Sequence, residues 1–306
     1  MSLVRKSILA ALTLAVAGMA LSGIWEAAIA FFLIVVFGIP HGATDHAVFN
    51  FLTRREAKSV PQIRFLVSYL GTIAGYALLW YWLPGWSFLL FLAVSAFHFG
   101  ETQMVRYRIE NGGKWLAYAG WGTVVLLLIF WPNQAEVHDF IVPYLVGETA
   151  FTWVVEQAAW LLTLAGVMWL VPMIVAGNGR GILREFAELA LIALIGWGAS
   201  LLLSFAVFFA FWHSRDAVWL QIERIRSGQR NFSLGQWVRL ALPYTLVSLV
   251  GIGAIVLLYG QFTAAIPLVT FFFILVALIT LPHVFVMSVF YHRVEAAETA
   301  SLQEHM

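Results

Sequence analysis

Residues 25–46 read WEAAIAFFLIVVFGIPHGATDH. From Ala27 to Ile39 the stretch carries no polar side chain, and within about the next two turns it brings His41, Thr44, Asp45 and His46. A helix that crosses a bilayer needs about 20 predominantly apolar residues. This stretch is long enough, and it ends in groups that a membrane interior tolerates only for a reason.

The rest of the chain repeats the pattern. Of 306 residues, 62% are hydrophobic and only 11% are charged, against about 25% charged in an ordinary soluble domain. Mean hydropathy is +0.88. A soluble enzyme, a secreted disulfide scaffold and a disordered chain are excluded together. There is no cysteine, so a metal here must be held by histidine or carboxylate. Nucleic-acid-binding features and internal repeats are absent, and the net charge of +1 points to no charged partner.

The sequence predicts an all-α, polytopic transmembrane protein of about ten spans. They fall at 7–22, 25–46, 63–83, 86–103, 115–132, 150–176, 185–198, 200–222, 238–259 and 265–291. The break at Gly196-Trp197-Gly198 is the weakest; without it, one long bent helix leaves nine spans. With ten, all 17 lysines and arginines lie on one side. The opposite loops carry Glu136, Asp139 and Glu148. The positive-inside rule then puts both termini in the cytoplasm. Residues 1–23, which also resemble a secretory signal, read as an uncleaved first span. Residues 1–306 form a single membrane domain with a short polar tail, about 294–306, that has no fold of its own. Trp25, Trp80, Trp82, Trp86 and Trp131 suit an interfacial belt.

Six of the eight histidines sit near the inner ends of spans. His138, in an outer loop, and His305, in the tail, read as surface residues. Counted at 1.5 Å per residue from the outer start of each span, His41, His98, His213 and His283 lie roughly 24, 18, 20 and 27 Å deep. Four helices running the same way thus place one imidazole each in the inner half of a core about 30 Å thick. If they pack together, these side chains converge on a shared metal site. Neutral imidazoles suit iron, copper, zinc or nickel. Asp45 lies one turn beyond His41 and Glu101 three residues after His98, each placed to accept the second ring N–H of a ligand. Asp216, three residues after His213, is as well explained by the interface. Pro40 and Pro282 each precede a histidine and kink its helix. Glu156 and Glu188 are isolated acids of the kind a transporter uses.

In order along the chain, Gly38-Ile39-Pro40-His41-Gly42-Ala43-x-Asp45, His98-Phe99-Gly100, Phe211-x-His213-Ser214-Arg215 and Pro282-His283 resemble the Brp/Blh family of membrane β-carotene 15,15′-dioxygenases. The resemblance runs from residue 38 to 283, and its weight lies in the ordered set rather than in any one motif. It implies cleavage of the central double bond of β-carotene by O2 to give two molecules of retinal. It also implies Fe(2+) held by histidines, a prokaryotic cytoplasmic (inner) membrane location and a functional link to a retinal-binding rhodopsin. His41, His98 and His213 match family histidines tied to iron. Family members often carry another histidine one turn after His213, where this chain has Ala217. His283 is then the natural fourth ligand and His46 a reserve. The lipid bilayer is the medium from which so apolar a substrate would come. A di-iron desaturase is disfavoured because no HxxxH pair occurs. A haem-binding protein with two histidine ligands, or a transporter using Glu156, Glu188 and the histidines, remain the alternatives.

Overall fold

The computed structural model describes residues 8, 11, 12, 14, 24–55, 62–109, 112–228, 232–262 and 268–303. Among these residues the regular structure is all helical. Seven helices are long and apolar enough to cross a membrane: Ile24–Leu52, Gln62–Trp82, Gly113–Phe130, Ala158–Val175, Leu201–Arg226, Leu234–Ile255 and Phe273–Arg293. Their number and length are those of an integral membrane protein.

Seven of the ten expected spans therefore coincide with a helix of this kind. Two others coincide with helices that are less apolar. Helix Pro84–Met104 carries Ser87, Ser95, His98, Glu101 and Gln103, and helix Gly179–Gly198 carries Arg180, Arg184, Glu185 and Glu188. Most of the first expected span, 7–22, lies outside the described residues, as does His305. The helix break expected near Gly196–Gly198 falls at Ala199 and Ser200. There the Ser200 hydroxyl accepts from the Leu203 amide. Glu26 accepts from the Ser200 amide, and Glu136 from the Leu201 amide. Three oxygen acceptors thus meet the amides that a helix start leaves without internal partners. The expected span 150–176 is divided at Gln157, between helices Glu148–Glu156 and Ala158–Val175.

Helix Leu268–Gln303 continues into the polar tail. Val294-Glu295-Ala296-Ala297-Glu298 is rich in strong helix formers, so the backbone continues past the apolar segment. Trp25, Trp82 and Trp86 are exposed, as a belt requires, but Trp80 is only 6% exposed and belongs to the core.

The chain gathers into two compact units, residues 1–38 with 92–216 and residues 39–91 with 217–306. In the first, helix Gly113–Phe130 packs along Ala158–Val175 and Gly179–Gly198, and helix Leu201–Phe208 packs on Ile24–Leu33. Trp121, Trp169, Phe208, Ile192 and Leu203 fill its core. Helix Pro84–Met104 meets helix Gly113–Phe130 backbone to backbone: a Cβ on Gly100 would lie 1.8 Å from the Tyr118 carbonyl oxygen. Small residues permit such approaches between membrane helices, and this one fixes the height of the neighbouring His98.

In the second unit, helix Leu268–Gln303 packs on Asp45–Arg55 and Gln62–Trp82, and helix Leu234–Phe262 on Ile39–Gly42. Phe290, Tyr291 and Met287 are buried here, and Ile222, Trp237 and Ala241 form a further cluster. Leu242, Leu246, Val247, Val250 and Leu257 project outward from the 234–262 helix, an apolar surface suited to lipid.

Candidate metal centre

Local backbone departures carry two of the four histidines. His41 sits in the short helix Ile39–Gly42, directly after the π-helical segment Ile34–Gly38. His213 lies within a second π-helical segment, Phe209–Ser214. A π turn inserts an extra residue and rotates the side chains that follow, and such turns are frequent at functional sites. His98 stands in the regular helix Pro84–Met104, and His283 follows Pro282 inside helix Leu268–Gln303.

His41, His98, His213 and His283 are all buried, at 1%, 1%, 3% and 6% exposure. Each offers one ring nitrogen, and these atoms lie within 4.8 Å of one another, a group that could hold a metal ion. The four imidazoles are arranged as two edge-on pairs. Ring centroids are 4.6 Å apart at 84° in His41–His283, and 4.8 Å apart at 72° in His98–His213.

The pair His41–His283 is braced by hydrogen bonds. His283 Nδ1 and Asp45 Oδ1 are 2.8 Å apart. The Tyr69 hydroxyl donates to Asp45 Oδ2 at 2.9 Å. With Nδ1–H given to the carboxylate, Nε2 of His283 keeps its lone pair for a metal. Asp45, expected to accept the second ring N–H of a ligand histidine, meets His283. The helix is interrupted at Ala43 and Thr44, and Asp45 opens helix Asp45–Arg55, so the regular one-turn relation to His41 is lost. The Thr44 hydroxyl lies 2.8 Å from the His41 carbonyl and 3.1 Å from Gln221 Oε1. Gln221 also accepts from the Trp237 indole N–H at 2.9 Å.

Packing braces the pair His98–His213. The Phe209 ring stacks on His213 at 5.2 Å and 21°, and Phe99 meets His213 edge-on at 4.8 Å. Phe205 and Phe208 pack behind Phe99. Gly38 admits Phe209, since a Cβ there would lie 2.7 Å from Phe209 Cε1. Glu101, fully buried, has its Oε2 3.9 Å from His98 Nδ1. That is within ion-pair reach but longer than a hydrogen bond.

Other expected participants lie elsewhere. His46 is turned to the Ala43 carbonyl at 3.1 Å and stacks on Tyr244. Asp216 pairs with Arg106 and Arg215 rather than with His213. Glu156 is exposed. Glu188 is buried in a polar network where Gln103 donates to both Glu185 and Glu188 and Arg184 donates to Glu188. These bonds tie helices together, which accounts for an acid at that depth without a transport role. His138, expected in a loop, lies in the short helix Gln134–Ile141, where hydrogen bonds to Asp139 and Glu148 raise its pKa. Ala217, where the resemblance led one to look for histidine, is fully buried.

Tyr69, Gln103, Glu185 and Gln221 had not drawn attention in the sequence. Tyr69 and Gln221 each stand far along the chain from the groups they hold, so only folding reveals their role.

Four buried neutral nitrogens, with no carboxylate among them, fit a borderline transition metal such as ferrous iron and do not fit calcium or magnesium. No solved structure matches the chain. The sequence model of the family described as Beta-carotene 15,15′-dioxygenase matches residues 32–291, which include all four histidines. A protein of Uncultured marine bacterium 66A03 named Beta-carotene 15,15′-dioxygenase is 30% identical over 258 residues, covering 82% of this chain and 89% of that protein. With a match of that extent over the residues that build the histidine group, this chain belongs to the β-carotene 15,15′-dioxygenase family.

Proposed function

We propose that this protein is an iron-dependent membrane dioxygenase that cleaves the central 15,15′ double bond of β-carotene. The observation that carries this reading is the buried group of four histidines in a chain of this family. His41, His98, His213 and His283 would hold Fe(2+). The iron, when bound, supplies the activation of dioxygen. The overall reaction balances without a further reductant: one C=C bond and one O2 become two aldehyde carbonyls, so one β-carotene gives two molecules of retinal.

The residues of this chain bind, orient and exclude water. Asp45 holds the proton on Nδ1 of His283, which would leave Nε2 to hold the iron, and Tyr69 holds Asp45. Phe209 and Phe99 set the plane of His213 and surround it with apolar surface. A hydrocarbon substrate meets no cost in such surroundings, whereas water does. Glu101 and Asp45 would offset the charge that four neutral ligands leave on a divalent ion. Holding the middle of a long polyene beside the iron is the protein's principal contribution, because alignment of reactants supplies much of such a rate enhancement.

A topology of about ten spans with cytoplasmic termini, in a single membrane domain of a prokaryotic inner membrane, completes the proposal. The retinal formed would supply a retinal-binding rhodopsin. The test is pigment analysis in a bacterial host that makes β-carotene. The chain should consume β-carotene and yield retinal, while His213→Ala should leave β-carotene intact. Unchanged β-carotene with the unmutated, iron-loaded chain would defeat this reading.

A further inference from the structure

A cavity of about 440 Å³ opens on the outside of the second unit, among helices Asp45–Arg55, Gln62–Trp82 and Leu268–Gln303. That is a volume within the usual range for small-molecule sites. Its walls are mostly apolar, with Phe65 and Val286 among them, and it is lined also by Arg64, Arg293, Tyr69 and Pro282. The charges are not spread along it. Arg64 lies near the start of the 62–82 helix, and Arg293 lies far along the 268–303 helix. Both belong to the basic side of the chain by the loop-charge pattern. Roughly 12 Å of helix separates Arg64 from Thr72, and roughly 16 Å separates Arg293 from Pro282. The cavity is thus a slot with its two guanidinium groups toward one end and apolar walls beyond; Arg64 is exposed, and Arg293 already donates to the Leu52 carbonyl at 2.8 Å.

We infer that this slot binds an anionic phospholipid of the surrounding bilayer, its phosphate at Arg64 and Arg293 and one acyl chain lying inward toward Tyr69 and Pro282. Charge complementarity selects this occupant over the carotenoid, which has no group for either arginine. Basic residues at the level of the headgroups attract anionic lipid with about fivefold in affinity each. An acyl chain against Tyr69 would pack on the ring whose hydroxyl holds Asp45, so lipid occupancy supports the brace of His283 from behind.

The test uses the purified full-length chain in nanodiscs of phosphatidylcholine, with and without phosphatidylglycerol. Retained lipid is read by native mass spectrometry and the melting temperature is measured in parallel. The unmutated chain should retain phosphatidylglycerol in preference to phosphatidylcholine and melt higher when it is present. Arg64→Gln should weaken retention about fivefold, and Arg64→Lys should restore it. Val286→Trp, which fills the slot while leaving both arginines, should abolish retention. Iron content in each variant reports that the fold is intact. Equal retention by the unmutated chain, Arg64→Gln and Val286→Trp would overturn the inference. So would a Val286→Trp variant that keeps its phosphatidylglycerol but raises the KM for β-carotene, which would assign the slot to the substrate. Lipid retention needs no turnover, so failure of the chain to cleave β-carotene would count against the proposed activity alone.

Discussion

The two histidine pairs are alike in spacing and unlike in what holds them. His41–His283 rests on a chain of hydrogen bonds through Asp45 and Tyr69, with Thr44, Gln221 and Trp237 beside it. His98–His213 rests on aromatic packing, with Phe209 stacked and Phe99 edge-on, and with Glu101 at a longer distance. A hydrogen bond to a carboxylate sets tautomer and basicity as well as direction. Stacking sets direction alone. One pair is braced through a hydrogen-bonded carboxylate and the other is packed among phenylalanine rings, and the two should fail in different ways.

The sharpest test of that contrast removes ligands. Alanine at His41, His98, His213 or His283 should each reduce retinal formation and bound iron by about a hundredfold or more, beyond the effect of losing a supporting partner. An equal loss at all four would mean that both pairs serve one ion. Normal iron and turnover in His283→Ala would remove that residue from the ligand set. Next in size is Asp45→Ala, with an expected loss of about 10- to 100-fold in iron affinity or activity. Tyr69→Phe, which leaves the ring and removes one hydrogen bond, should cost about fivefold. If Tyr69→Phe were as damaging as Asp45→Ala, the hydroxyl would have a role beyond holding the carboxylate.

On the packed side, Gly38→Ala should displace Phe209 and destabilise the protein by about 1–3 kcal/mol, the usual cost of overpacking. Iron should be retained while kcat falls, because the ring is tilted rather than deprived of its proton partner. Loss of iron instead would show that Phe209 does more than orient. The smallest effect is expected at His138, exposed and paired with Asp139 and Glu148: alanine there should leave iron and activity unchanged, as measured by metal analysis and pigment assay.

Much of this was legible in the chain itself. The apolar runs, long enough to span a bilayer and poor in charge, announce membrane helices, because no other medium tolerates them. The sequence singled out His41, His98, His213 and His283 by counting residues at a constant helical rise, and the four are a buried group that could hold a metal ion. Elements whose apolarity is diluted were harder. Pro84–Met104 and Gly179–Gly198 are helices that buy their place with internal polar contacts, and the network of Gln103, Glu185 and Glu188 is invisible to any count of apolar residues.

Asp45 shows where linear reading stops. Its spacing marked it as an acceptor for a ligand histidine, and which histidine it meets, His283, far along the chain, emerges only from the fold. The π-helical turns at Ile34–Gly38 and Phe209–Ser214, the approach of Phe209 to Gly38 and the anchoring of Asp45 by Tyr69 are likewise matters of folding. Composition and hydrophobic run length alone determined that this is a protein of long apolar helices, since those depend on local hydrophobicity. Which carboxylate serves which imidazole, and which ring steadies it, only the tertiary structure decided, since those depend on contacts between residues the sequence keeps apart.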